Sequence, residues 1–143
     1  MRFTAFLVAV GAMVAGAPAF AAPVSLSFQN AGTTAMTVSR VNTCGVLAPT
    51  PTTVNIGTTS AVSSTDCGSA ASAANVTYRM GTKQCIFRIS TIFTPGNPIL
   101  GTSGYWTPNA NTEASGGATC RVVSQDVSGV FTTGAFKAVF SMR

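Results

Sequence analysis

Short runs that alternate apolar and polar residues recur along this chain, and no apolar pattern of helical period competes with them. Val24-Ser25-Leu26-Ser27-Phe28 alternates without a break, which is the period-2 pattern of a strand with one buried face. Asn30-Ala31-Gly32 supplies turn residues, and Ala35 to Val41 reads as the returning strand. Val76, Tyr78 and Met80 alternate with Thr77 and Arg79, and Gly81 to Gln84 reads as a turn. Cys85 to Phe93 is the most apolar run. Phe87, Ile89 and Phe93 lie on one side of it and Ile86 and Ile92 on the other, a pattern that predicts a central strand covered on both faces. Thr119 to Gln125, Val127 to Thr132 and Ala135 to Met142 are further strand candidates.

The intervening segments read as connections. Leu47 to Thr53 contains Pro49 and Pro51 and suits a connector or an edge, followed by a short strand from Thr53 to Ile56. Thr58 to Ala74 is almost wholly small and polar. It reads as a long loop tethered by Cys67, with one helical turn over alanines 70, 71, 73 and 74. Pro95-Gly96-Asn97-Pro98 ends the apolar strand, and Gly101 to Gly117 reads as loop. Seven or eight short strands, with turns every ~8–15 residues, predict an all-β fold. The expected form is a small antiparallel β-sandwich, with a small barrel as the alternative.

The first 21 residues point to a compartment. Met1-Arg2 is a positive start, Phe3 to Val14 is apolar apart from Thr4, and Gly16 to Ala21 ends in small residues with an A-x-A pattern. This is the order of a secretory signal, in a bacterial style, with cleavage expected after Ala21. A membrane anchor would need ~20 apolar residues, and Gly11, Gly16 and Pro18 interrupt the run. Residues 1–21 are therefore read as a signal peptide. Residues 22–143 are read as a single β domain in the periplasm or outside the cell, with no transmembrane span after cleavage.

All four cysteines, Cys44, Cys67, Cys85 and Cys120, fall in that domain. An even count in an exported chain predicts two disulfides. Four cysteines allow three pairings. The favoured one joins Cys44 to Cys67, stapling the Pro/Thr/Ser-rich stretch, and Cys85 to Cys120, tying two strands together. The chain has no histidine and no C-x-x-C pair, which argues against a zinc site.

The same composition restricts chemistry. Without histidine the commonest general base is missing, and Ser-His-Asp and Cys-His sites are excluded. Asp66, Glu113 and Asp126 are the only carboxylate side chains, and all three fall in loop-like sequence with nothing to suggest that any two converge. A glycosidase needs two facing one bond. Lys83 in a turn and Lys137 on a polar strand face are poor partners for a serine. The domain is therefore expected not to be an enzyme and to need no cofactor or metal.

The basic residues outnumber the acidic ones but are scattered, so no specific nucleic-acid interface is expected. The group with most promise for a ligand is Tyr105, Trp106, Asn109, Asn111 and Glu113. Aromatic faces can stack on sugar rings, and amide and carboxylate groups can bond hydroxyls. The competing role for the single Trp is packing on the core. Tyr105 is expected to be the more exposed of the two rings, with Trp106 packed partly on the domain. Three functions remain open. The first is a non-enzymatic binding module for a glycan, an anionic cell-envelope component or a protein. The second is a self-associating subunit of a surface fibre or coat, with Val24 to Phe28 or Phe136 to Met142 adding to a neighbour's sheet. The third is a small secreted toxin or enzyme inhibitor.

Overall fold

The computed structural model describes residues 22–68 and 70–143; the signal peptide expected over 1–21 lies outside the described residues. The described residues form eight strands: β1 (Val24–Asn30), β2 (Thr37–Thr43), β3 (Ser63–Thr65), β4 (Ala71–Met80), β5 (Lys83–Thr94), β6 (Tyr105–Ser115), β7 (Cys120–Asp126) and β8 (Phe136–Met142). A single turn of helix, α1 (Val130–Thr133), precedes the last strand. The strands make two four-stranded sheets, ordered β3-β1-β8-β7 and β2-β4-β5-β6. The sheets are not closed into a barrel, so the fold is the sandwich.

Five strands follow directly from alternation. Val24, Leu26 and Phe28 of β1 turn inward, as do Phe136, Ala138, Phe140 and Met142 of β8. From the other sheet come Val76, Tyr78 and Met80 of β4 and Cys85, Phe87 and Ile89 of β5. In β7, Val122 packs against this core. Burying a large apolar side chain contributes about 1.5–3 kcal/mol. The two inward rows therefore supply the main drive for the sheets to stack.

Both disulfides of the favoured pairing are present, with Cα separations of 5.5 Å for Cys44–Cys67 and 5.8 Å for Cys85–Cys120. Each crosses between the sheets. Cys85 lies in β5 and Cys120 in β7; Cys44 directly follows β2, and Cys67 follows β3. At the corner where the chain changes sheet, the Thr112 hydroxyl donates to the Cys120 carbonyl at 3.2 Å.

Several expectations need correction. β1 and β2 are not a hairpin, because β2 joins the opposite sheet and pairs with β4. The sandwich is not wholly antiparallel: β1 and β8 pair in parallel from Val24↔Phe136 to Asn30↔Met142. Both strands are thus flanked on either side within one chain. The strand expected over 53–56 is only an isolated bridge, Met36↔Val54. The segment 58–74 is not one loop. Ser63–Thr65 pairs with β1, and Ala71 to Ala74 begin β4 against Ile89 to Ile92 of β5. Sheet pairing there overrides the weak helix preference of the alanines.

The segment 101–117 is likewise not loop, since β6 pairs with β5 over eleven residues. Pro108 is accommodated because β6 is an edge strand with one side unpaired. The segment 127–132 does not form a strand. It turns into α1, which Gly134 ends in the left-handed region at φ 75°, a conformation that suits a residue without Cβ. Finally, β5 is central in its sheet but buried on one face only. Ile86 is half-buried and Ile92 exposed on the other, because among the described residues no layer covers the outside of this sheet.

The strands also define two ends. The chain enters at Ala22, beside α1, the β5–β6 loop and the Cys44–Cys67 bridge. Arg143 lies at the other end, beside the 31–36 connection and the turns at 81–82 and 116–119. Its backbone exchanges hydrogen bonds with Thr119.

Candidate functional site

The uncovered outer face of β2-β4-β5-β6 is the most developed polar surface of the described residues. Period-2 alternation dictates its composition. Opposite the buried Val76 and Tyr78, β4 presents Asn75, Thr77 and Arg79. Opposite Phe87 and Ile89, β5 presents Ile86, Arg88 and Ser90. Strand register then assembles these residues into rungs. Asn42 pairs with Asn75, Asn75 with Arg88, and Arg88 with Asn111. One rung of three amides and a guanidinium therefore crosses all four strands. The rung nearer the Arg143 end is Arg40, Thr77, Ile86 and Glu113; the one nearer the Ala22 end includes Ala73, Ser90 and Asn109.

Side chains on this face hold one another. The Arg88 guanidinium pairs with Glu113 at 2.5 Å. The Asn111 amide donates to Asn109 Oδ1 at 3.4 Å, and Arg79 Nε donates to Gln84 Oε1 at 3.0 Å. Arg40 has no acidic partner among the described residues. It borders a shallow depression of about 190 Å³ lined by Asn42, Asn75, Thr77, Ile86 and Arg88. The face is open rather than cleft-like, so it suits an extended polar ligand more than an enclosed small molecule.

Of the five residues singled out from sequence, Tyr105, Asn109, Asn111 and Glu113 lie on this outer face of β6, and Trp106 does not. The strand period separates the two rings. Tyr105 is 59% exposed, while Trp106 packs against the core edge, with its ring 5.1 Å from that of Phe93. Sequence reasoning missed Arg40, Asn42, Asn75 and Arg88, which come from three other strands. The available signal was the polar phase of β4 and β5, opposite the apolar phase that marks the core.

The other ionisable groups stand apart. Asp66 Oδ1 accepts from the Gly68 backbone, and Asp126 lies at the far end of β7. The Ser128 hydroxyl donates to Asp126 at 2.6 Å and the Ser128 backbone at 3.0 Å. These bonds, with a smaller contribution from Lys137, hold the Asp126 carboxyl below its usual range. Among the described residues no three His, Cys, Asp or Glu side chains gather as a metal site, and no helix is long and apolar enough to cross a membrane. No protein-family model matches the chain, and no curated protein matches it.

Proposed function

We propose that this chain is an exported, non-enzymatic binding module that recognises a hydroxyl-rich glycan on the outer face of β2-β4-β5-β6. The observation that carries this reading is the rung of Asn42, Asn75, Arg88 and Asn111. Amide and guanidinium groups offer donors and acceptors on one flat surface. Their spacing follows the ~4.8 Å between strands, comparable with the width of a sugar ring. Vicinal hydroxyls can bridge adjacent groups of such a row. Tyr105 extends the same face toward the Ala22 end as an exposed ring on which a sugar can stack.

Glycan-array binding by the mature protein tests this. Arg88→Ala and Asn111→Ala should each abolish the signal and leave the melting temperature nearly unchanged, because both side chains are outside the core. Binding that survives both substitutions, or no glycan bound by the parent protein, would overturn the proposal. The export half has its own test. Protein recovered from periplasm or medium should have an intact mass that begins at Ala22, and a full-length mass in the membrane fraction would refute it.

A further inference from the structure

We infer that the two ends of the sandwich dock onto each other between copies of this chain, giving a head-to-tail assembly. The projecting element is the β5–β6 loop at the Ala22 end. Ile99 is 92% exposed and Leu100 73%. They are held out on a hydrogen-bonded turn rather than a slack loop. Asn97 Oδ1 accepts from the backbones of Ile99 and Leu100, and the Asn97 carbonyl accepts from Leu100 and Thr102. Gly101 turns the chain at φ 67°. Phe131 of α1, 82% exposed, lies at the same end. No charged residue occurs between Arg88 and Glu113, so burying this tip desolvates no charge of its own.

The receiving element is at the opposite end. A groove of about 490 Å³ runs between the 31–35 segment, Met80 and the Gly81-Thr82 turn, with Lys83 and Arg143 on its walls. Ala31, Ala35 and Met80 give it an apolar strip among threonines, against which aliphatic side chains can pack. The charges at the two ends are complementary. Lys83 and Arg143 line the groove, Arg121 borders Arg143, and Arg79 is in register with Gln84 at the same end. Asp66 and Asp126 flank the tip end, where Lys137 is the basic side chain, in register with Asp126.

This distribution favours a second copy over a bilayer as the partner. The two carboxylates at the tip end would oppose an anionic lipid surface, whereas they match the basic groove. Tip and groove lie at opposite ends, so they cannot meet within one molecule. A contact between different surfaces of identical copies does not close on itself unless the rotation happens to form a ring, and it propagates as a filament. It needs no strand exchange, consistent with β1 and β8 being flanked on both sides in one chain.

Sedimentation velocity of the mature, disulfide-intact protein over micromolar to millimolar concentration tests the proposal. The average mass should rise past that of a dimer and fall with added salt. Leu100→Asp and Lys83→Glu should each weaken association by about tenfold or more, the loss expected for a central contact residue. Each variant keeps one competent end, so a mixture of the two should stop at a dimer. Circular dichroism of both variants should match the parent. A parent that stays monomeric throughout, or association that Leu100→Asp leaves intact, would overturn the inference. So would binding of a monomeric parent to phosphatidylcholine/phosphatidylglycerol vesicles that Leu100→Asp abolishes, because it would assign the tip to a membrane. Glycan binding can persist or fail independently of any of these results.

Discussion

Phe28 of β1 and Tyr78 of β4 face each other across the gap between the sheets, with ring centroids 4.7 Å apart and planes inclined at 52°. Phe87 and Phe140 complete the cluster, at 5.4 and 6.1 Å from Phe28. Such tilted and offset-stacked pairs add about 0.5–1.5 kcal/mol beyond the area they bury. Tyr78 has a second duty: its hydroxyl donates to the Thr52 carbonyl at 3.0 Å. The irregular connector between β2 and β3 is thereby tied to the aromatic core.

Tyr78 gives the domain an alkaline limit. Burial pushes its phenol well above the ordinary tyrosine range. In the unfolded chain the phenol loses its proton near pH ~10, while the folded domain retains it. Above that pH the unfolded state binds fewer protons, so stability must fall as pH rises. The contribution is complete below the unfolded value and is lost progressively above it. Urea unfolding followed by Trp fluorescence should show this extra loss beginning near pH ~10. Tyr78→Phe should remove the extra loss but cost about 1 kcal/mol at neutral pH, because the Thr52 carbonyl loses its donor. Identical alkaline slopes in parent and variant would contradict the assignment.

The unequal legibility of the strands has a physical cause. β1, β5 and β8 announce themselves because large apolar residues alternate with polar ones, as in Phe136, Phe140 and Met142 against Lys137 and Ser141. β6 hides because its inward positions include Pro108, Ala110 and Thr112, which contrast little with the outward Thr107, Asn109 and Asn111. The start of β4 hides for the same reason, with Ser72 and Ala74 inward and Ala71 and Ala73 outward. The parallel β1–β8 pair joins the two termini of the domain and has no local signature. Four of the five proposed ligand residues share a face because they fall at alternate positions of one strand. Asn42, Asn75 and Arg88 join them only through register, which local sequence does not specify.

The inter-sheet bridges should be worth more than ordinary strand contacts. Cys85 and Cys120 are 35 residues apart, and closing a loop of that size in the unfolded chain contributes about 3–4 kcal/mol. The Cys85→Ala/Cys120→Ala double variant should lose about that much in urea titration. Thiol labelling of the denatured, unreduced parent should find no free cysteine. Two or more labelled thiols, or a double variant as stable as the parent, would contradict the reading.

Thr91 is a site where the sequence is not optimal for stability. It is fully buried on the inward face of β5, and its hydroxyl has no hydrogen-bond partner among the described residues. A buried polar group without a partner is costly, and an apolar group of similar shape removes that cost. Thr91→Val should therefore stabilise the domain by about 1 kcal/mol, raising the melting temperature by roughly 4 °C. A decrease would indicate that an ordered water satisfies the hydroxyl.

Trp106 separates stability from recognition. Its ring rests beside Phe93 and over Gly134, where an added Cβ would come within 2.5 Å of the indole carbons. It therefore holds β6 against the segment that leads into β8. It points away from Asn109, Asn111 and Glu113, which share the other face of the same strand. Trp106→Ala should cost about 3 kcal/mol through the lost packing and lower the melting temperature by roughly 10 °C. Glycan binding measured well below that temperature should persist. Gly134→Ala should reproduce the destabilisation, since it strains φ 75° and drives a methyl into the indole. Tyr105→Ala should do the reverse, leaving stability nearly unchanged and weakening glycan binding, because its exposed ring lies on the recognition face. A Trp106→Ala protein that melts like the parent but no longer binds glycan would place the indole in the binding surface and refute this division of roles.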